Sequence, residues 1–174
     1  MHFVRNALPE IESGRKMTSV AVIGIGQSLR GDDAAGLEVI RQWREKFPET
    51  AGRPEVRCEA CELLGLALID SLHGFENAIL VDAIQGQAKA GTIYLVNESE
   101  LLSFTSDAKS AHGWGIAETL QLGHELNVIN SNIKVIGIQV GQMEIGAGLS
   151  QEVADAIPIA CDLVQQEIKK LLIH

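Results

Sequence analysis

The chain has 174 residues and a formal net charge of −9, so it is long enough for one domain with a sizeable core. The acidic balance argues against a nucleic-acid partner, because phosphate binding requires clusters of lysine and arginine. Hydrophobic residues make up 46% of the sequence and aromatic residues only 4%, which excludes a disordered chain and predicts an aliphatic core. No apolar run approaches the roughly 18 residues of a membrane span, so we expect no membrane association.

The N-terminal segment differs from the rest of the chain. Residues 1–16 are polar and lack any sustained period, which predicts a tail, and a single α/β domain is expected over residues 17–174. The segment contains acids, a proline and no apolar block, so it does not resemble a secretory signal. Three cysteines, an odd number, fit a reducing compartment better than a disulfide framework. These features predict a cytoplasmic protein.

The first half of the domain alternates between strand and helix signals. An apolar, β-branched run over 19–25 predicts a strand buried on both faces, and a turn follows over 26–31. A helix is then indicated by apolar residues at helical spacing, ended by a proline: Leu37, Ile40, Trp43, Phe47 and Pro48. A second strand is predicted over 55–60 and a second helix over 62–72.

The second half adds three strands and two helices. Strands are predicted over 77–83, 91–96 and 134–140. The connection between the first two is too short for a parallel crossover, so the 91–96 strand should run antiparallel, beside the 77–83 strand. Helices are expected over 114–126 and after Ser150, which can cap the last helix, with a kink at Pro158.

This alternation predicts a three-layer α/β sandwich with a mostly parallel five-stranded sheet, one antiparallel strand, and helices on both faces. In such sheets, ligands bind beyond the carboxyl ends of the strands. Candidate functional residues are therefore sought at the points where strands end.

The densest motif is GIGQSLRGDDAAG, residues 24–36, which follows the first strand and opens the first helix. It is not a dinucleotide fingerprint, because Leu29 occupies the position of the next required glycine, and no Gly-Lys-Ser/Thr of a phosphate loop follows. In a purely structural interpretation, Asp32 caps the helix and Asp33 favours its positive end. That interpretation accounts for one aspartate better than for two.

Two further residues lie at similar positions. Asp82 closes the otherwise apolar strand AILVD, and His112 lies in SAHGWG just before a predicted helix. Either residue alone is a weak signal. Asp33, Asp82 and His112 together all fall at strand-to-helix transitions on one predicted edge. Two carboxylates and an imidazole form a suitable site for a divalent metal such as zinc or nickel, so we predict that the three side chains converge on one ion.

Cys58 and Cys61 form a Cys-x-x-Cys motif near a strand end. Such a pair can act in redox chemistry or supply half of a zinc site, although no second ligand pair follows. The structural alternative is two small, buried or half-buried thiols.

Three motifs in order resemble those of the hydrogenase maturation endopeptidases, which trim nickel–iron hydrogenase large subunits. The first is Gly24-Ile25-Gly26-Gln27 followed by Gly31-Asp32-Asp33 and Gly36; the second is Asp82-Ala83; the third is Ser110-Ala111-His112. The likeness runs from about Met17 to the C-terminal helix. Three features depart from the family pattern: Gln27 replaces the usual asparagine, Ala34-Ala35 occupies a position where glycine or another residue is often found, and CEACELLG lacks the Gly-Thr often found before Glu-Leu.

The resemblance implies a specific function. In the family, the second acid of the first motif, the aspartate of the second and the histidine of the third are metal ligands, and they fall on Asp33, Asp82 and His112. It further implies that nickel arrives on the precursor large subunit, that the protease holds no tightly bound cofactor of its own, and that cleavage removes a C-terminal extension.

Two other classes remain open at the level of sequence. A phospho-acceptor signalling domain also gathers acids at the carboxyl edge of a parallel sheet, but it requires a lysine after the last strand, where this chain has Gln142 and Glu144. A thiol redox protein would use Cys58 and Cys61.

Overall fold

The computed structural model describes residues 19–62, 65–104, 109–110 and 115–172. The predicted tail over 1–16 and the candidate ligand His112 lie outside these residues. The described residues form six strands: β1 (Val20–Ile25), β2 (Val56–Cys61), β3 (Asn77–Gln85), β4 (Ile93–Asn97), β5 (Lys109–Ser110) and β6 (Asn132–Gln139). They also form six α-helices, α1 (Ala35–Lys46), α2 (Pro48–Ala51), α3 (Leu66–Leu72), α4 (Glu98–Phe104), α5 (Ile116–Glu125) and α6 (Gln151–Leu172), and a 3-10 turn, Gly31–Ala34, precedes α1.

The sheet confirms the predicted fold class. Its order is β2-β1-β3-β6-β4; β1 pairs with β2 and β3, and β3 with β6, all in parallel, whereas β4 runs antiparallel. The two-residue strand β5, which the sequence patterns did not indicate, pairs antiparallel with the end of β3. The carboxyl ends of β1, β2, β3 and β6 therefore lie at one edge of the sheet.

The predicted position of the antiparallel strand is wrong, although its direction is confirmed. β4 pairs with β6, with Leu95 opposite Ile136, and not with β3. Both sides of β3 are already occupied by the parallel strands β1 and β6. A short connection excluded a parallel crossover but did not require β3 and β4 to be neighbours, because the chain can pass over the end of one intervening strand.

Two apolar clusters cover the two faces of the sheet. One face packs against α1 and α6, with Val22, Val81, Trp43 and Ile157 fully buried. The other packs against α3 and α5, with Ile23, Leu80, Leu68 and Leu120 fully buried. Alternate residues of β1 and β3 belong to opposite clusters, as expected for central strands with a side-chain period of two. The result is the predicted three-layer sandwich.

Most predicted helices are confirmed with shifted ends. In α1 the buried stripe includes Val39, Ile40 and Trp43, and Pro48 begins the separate short helix α2. The helix predicted from residue 62 starts at Leu66, and α4 was not predicted. The last helix, α6, runs through Pro158. None of the helices in the described parts of the chain is both long enough and apolar enough to cross a bilayer.

The two cysteines of the Cys-x-x-Cys motif point to opposite faces of the edge strand β2. Cys58 packs against the α1–α6 cluster, whereas Cys61 is buried in the α3–α5 cluster. Residues three apart in a strand lie on opposite faces, so the motif does not bring the sulfurs together. Burial also raises the pKa of the Cys58 thiol to about 11, which disfavours the reactive thiolate. This geometry supports the structural interpretation of the two thiols.

Candidate active site

The dense glycine and aspartate motif forms the connection between β1 and α1. After β1 ends at Ile25, the chain passes through a loop to the 3-10 turn Gly31–Ala34. Gly31 has a φ of 55°, a left-handed conformation that glycine adopts without strain. The turn places both Asp32 and Asp33 inside the protein, with neither residue exposed to solvent.

Asp32 joins this turn to the loop after β6. One carboxylate oxygen, Oδ2, accepts hydrogen bonds from the N–H groups of Gly141 (2.7 Å) and Gln142 (2.9 Å) and from the Ser150 hydroxyl (2.8 Å). The other, Oδ1, accepts one from the Ser150 N–H (2.6 Å). The Asp32 N–H in turn donates to the Gln142 carbonyl (2.9 Å). Asp32 is thus a crosslink between two loops of the carboxyl edge.

The interpretation of Asp32 as a cap of its own helix is therefore wrong. Neither the 3-10 turn nor α1 has a side-chain cap hydrogen bond. Ser150 immediately precedes α6, and its carbonyl accepts the Ala154 N–H (2.9 Å), so it occupies the capping position expected from sequence. Its hydroxyl, however, donates to Asp32. The carboxylate of Asp32 thus supports the start of a different helix, more than a hundred residues away.

The hydrogen bonds at Asp32 set its charge state. Burial alone would raise the pKa of this carboxyl, but the donated hydrogen bonds from Ser150, Gln142 and Gly141 outweigh it and leave the pKa below its usual 3.8. The carboxylate is therefore ionised at neutral pH. Because the folded-state pKa is lowered, the stability that Asp32 contributes is present above pH 3.8 and is lost as the pH falls through the lowered value.

We expect Asp32→Asn to destabilise the protein by about 2–3 kcal/mol at neutral pH, because an amide cannot replace both charged acceptor oxygens. This corresponds to a fall in Tm of roughly 5–10 °C for a domain of this size. Thermal unfolding at pH 7 measures the loss, and the gap between the two proteins should narrow below the usual aspartate pKa. Equal melting temperatures at pH 7 would show that the crosslink is unimportant.

Asp33 and Asp82 occupy neighbouring positions at the carboxyl edge. Asp33 follows β1 in the 3-10 turn, and Asp82 lies near the end of the adjacent strand β3, where it is 1% exposed. The Asp82 Oδ1 accepts the N–H of Ala83 (2.9 Å). Both acids are buried, and both follow or end strands whose carboxyl ends lie at the same edge of the sheet.

Gly36 explains how close α1 comes to these strands. A Cβ atom at Gly36 would lie 2.2 Å from the Ile25 carbonyl oxygen and 2.3 Å from that of Val81, the residue before Asp82. Only glycine permits this approach. The first turn of α1 is therefore seated directly on the ends of β1 and β3, which positions the adjoining turn with Asp33 beside the strand that carries Asp82.

The third candidate ligand is His112. His112 lies outside the described residues, and within the described residues no group of three or more His, Cys, Asp or Glu side chains is arranged to hold a metal. The nearest described residues are Lys109 and Ser110 of β5, which pair with Gln85 and Ile84 of β3. Convergence of Asp33, Asp82 and His112 therefore stays a prediction.

Sequence reasoning missed one further buried polar residue at this edge. Gln139, the last residue of β6, is 3% exposed, and its side-chain N–H groups donate to the carbonyls of Gly86 (3.1 Å) and Val140 (3.3 Å). Its backbone carbonyl accepts the Gly91 N–H (2.9 Å). Gln139 thus fixes both ends of the connection between β3 and β4. Its position at the end of an apolar strand, like that of Asp82, was the available signal.

Comparison with known families identifies the fold's relatives. The hydrogenase maturation protease family model matches residues 63–167, more than half of the chain. The matched stretch includes Asp82 and the sequence position of His112, whereas Asp33 lies before it.

Individual relatives agree with this match. A protein of Methanocaldococcus jannaschii, provisionally named a hydrogenase maturation protease, is 29% identical over 159 residues, covering 89% of this chain and 99% of the relative. The hydrogenase 2 maturation protease of Escherichia coli is 20% identical over 157 residues, covering 87% and 91%.

Solved structures show the same fold. The hydrogenase maturating endopeptidase HybD of Escherichia coli superposes with a TM-score of 0.75 at 19% identity, covering 87% of this chain and 93% of that one. The nickel–iron hydrogenase maturation protease HybD of Thermococcus kodakarensis gives a TM-score of 0.70 at 24% identity, covering 86% and 99%. The chain therefore belongs to the hydrogenase maturation protease family, and it is a hydrolase that cleaves a peptide bond.

Proposed function

We propose that this protein is a cytoplasmic endopeptidase that removes the C-terminal extension of a nickel-loaded nickel–iron hydrogenase large-subunit precursor. The observation that carries the proposal is the burial of two carboxylates, Asp33 and Asp82, at the ends of adjacent strands in a chain of this protease family. Buried ionisable side chains that gather at one edge of a sheet are typical of functional sites.

The residues fit a divalent metal that arrives with the substrate. Asp33 and Asp82 offer carboxylate oxygens, and His112 would add an imidazole nitrogen, a mixed oxygen and nitrogen set that nickel and zinc accept. The segment leading to His112 is paired with β3 just beyond Asp82, through Ser110 and Ile84. Since three protein ligands leave coordination positions open, the precursor can retain its own ligands to the nickel while the protease recognises the same ion.

The reaction would be metal-assisted hydrolysis. The bound ion supplies Lewis acidity that polarises the scissile carbonyl. One of the two carboxylates, Asp33 or Asp82, would accept a proton from the attacking water. His112 would hold the ion as a third ligand beside the two carboxylates.

The two alternative functions receive less support. Cys58 and Cys61 lie on opposite faces of β2, so they are poorly arranged for a shared redox reaction. The loop after β6 carries Gln142 and Glu144 in place of the lysine of a phospho-acceptor domain. Neither alternative accounts for the match to the protease family.

The direct test is to incubate the full chain with precursor large subunit, prepared with and without nickel, and to measure the mass of the product. We expect the nickel-loaded precursor to lose its C-terminal extension at one bond and the empty precursor to remain intact, because the ion completes the site. Efficient cleavage of the empty precursor would contradict recognition through nickel while leaving the protease assignment in place. Absence of cleavage of either form would contradict the proposed substrate.

A further inference from the structure

A cleft of about 360 Å³ lies between the loop after β1 and the loop after β6. We call it the rim cleft; it is lined by Gln27, Leu29, Arg30, Met143 and Ile145. We propose that the rim cleft binds a segment of the precursor in which a residue with a large apolar side chain is followed directly by an acidic residue. This inference rests on the proposed function, because it takes the precursor as the substrate, and it adds a site that determines substrate specificity.

The walls of the rim cleft are fixed by hydrogen bonds. The Gly146 N–H donates to the Leu29 carbonyl (2.8 Å), which joins the two loops directly. The Asp32 carboxylate holds Gly141 and Gln142 at the base of the second loop. A preformed cleft loses less conformational entropy when it binds a ligand than a mobile loop does.

The rim cleft exposes large apolar side chains to solvent, although such side chains are more stable when buried. Leu29 is 74% exposed and Ile145 is 88% exposed, although both belong to loops held in place by the bonds above. Two neighbouring exposed aliphatic side chains beside a polar site are typical of a binding surface. Leu149, on the same loop, packs against the core, so the loop does not force all of its apolar side chains into solvent.

Arg30 gives the rim cleft its charge preference. Three of the four other described arginines form ion pairs: Arg41 with Glu38 and Glu45, Arg53 with Glu55, and Arg57 with Glu59. Within the described residues no carboxylate pairs with Arg30. The Arg30 side chain is half-buried, and its guanidinium gives the cleft a local positive charge that is complementary to an acidic ligand group.

The position of the rim cleft relative to the acids suggests which part of the precursor enters it. Arg30 precedes Asp33 by three residues, so their Cα atoms are at most about 10 Å apart. An extended peptide passing Asp33 covers this distance in about three residues. The apolar and acidic pair should therefore lie within a few residues of the scissile bond.

The probe is a set of three blocked tetrapeptides: acetyl-Gly-Leu-Glu-Gly-amide, its Lys-for-Glu form and its Ser-for-Leu form. Titration into the isotope-labelled full chain, followed by amide chemical shifts, detects weak binding without any cleavage. We expect the Leu-Glu peptide to shift amides of residues 27–31 and 142–146. The Lys form should bind at least about threefold more weakly, and the Ser form about tenfold more weakly.

Matched variants assign the binding to the rim cleft. The double variant Leu29→Ser/Ile145→Ser should abolish the shifts, whereas Leu126→Ser, at an exposed leucine after α5, should leave them unchanged. Arg30→Gln should remove the preference for Glu over Lys. If the three peptides bind equally, or if the double variant binds like wild type, the proposal is overturned.

The same variants separate this inference from the proposed function. With nickel-loaded precursor, the double variant should raise KM at least about tenfold and leave kcat within about twofold, because it removes binding shared by substrate and transition state. If wild type binds the peptide but does not cleave the precursor, the rim cleft remains a peptide-binding site and the proposed substrate is rejected. If the double variant cleaves the precursor with an unchanged KM, the proposed substrate is retained and the role of the rim cleft is rejected. Sedimentation gives the oligomeric state of both proteins. If wild type is a dimer and the double variant is a monomer, the surface binds a second copy of the chain and the proposal is overturned.

Discussion

Replacing Asp82 by Asn should abolish processing of the nickel-loaded precursor while leaving the fold intact. The amide keeps the size of the side chain and an Oδ1 atom that can accept the Ala83 N–H. It removes a negative charge from a position that is only 1% exposed, where a neutral group is easily accommodated. A neutral amide is a poor ligand for a divalent ion and a poor base, so the rate should fall by at least about 100-fold.

Cleavage and binding of the Asp82→Asn variant are measured separately. Mass spectrometry of the product gives the rate, and pull-down of loaded and empty precursor gives the affinity. If nickel is the recognition element, the variant should bind loaded precursor more weakly than wild type does. Asp70→Asn, the same chemical change at an exposed position on α3, is the control and should behave like wild type. Full activity in Asp82→Asn would contradict the proposed site.

A second large effect is expected at Gly36, where Gly36→Ala should destabilise the protein by about 3–5 kcal/mol. The added methyl group would approach two backbone carbonyl oxygens, of Ile25 and Val81, at 2.2 and 2.3 Å. Neither is a flexible side-chain end, so α1 must move away from the sheet. That movement would also separate the turn that carries Asp33 from the strand that carries Asp82, so activity should fall at temperatures where the variant is still folded.

Chemical denaturation and the melting temperature test this expectation; the expected fall in Tm is roughly 10–15 °C. Gly148→Ala is the matched control, because nothing lies within 4 Å of a Cβ atom placed there and its φ is not in the left-handed region. That control should melt within about 2 °C of wild type. If Gly36→Ala and Gly148→Ala are equally stable, α1 can move away from the strand ends without lowering the free energy of unfolding.

The layers of the fold could be predicted from sequence because the local patterns were strong. The continuous apolar runs of β1 and β3 indicated strands buried on both faces, and the spacing in α1 indicated a helix with one buried side. The residues at the strand ends were also informative, since polar side chains after apolar strands lie at a single edge in a parallel sheet. Asp33 and Asp82 were found in this way.

The sequence by itself determined the strand and helix alternation, the edge on which the acids lie and the glycine-rich turn, because these depend on periodicity and on backbone conformation within a few residues. Only the tertiary structure decided the pairing of β4 with β6, the placement of Cys58 and Cys61 on opposite faces, and the partners of Asp32. Those partners, Gly141, Gln142 and Ser150, are more than a hundred residues away along the chain. Contacts between distant segments depend on which strands become neighbours, and no local pattern specifies that choice.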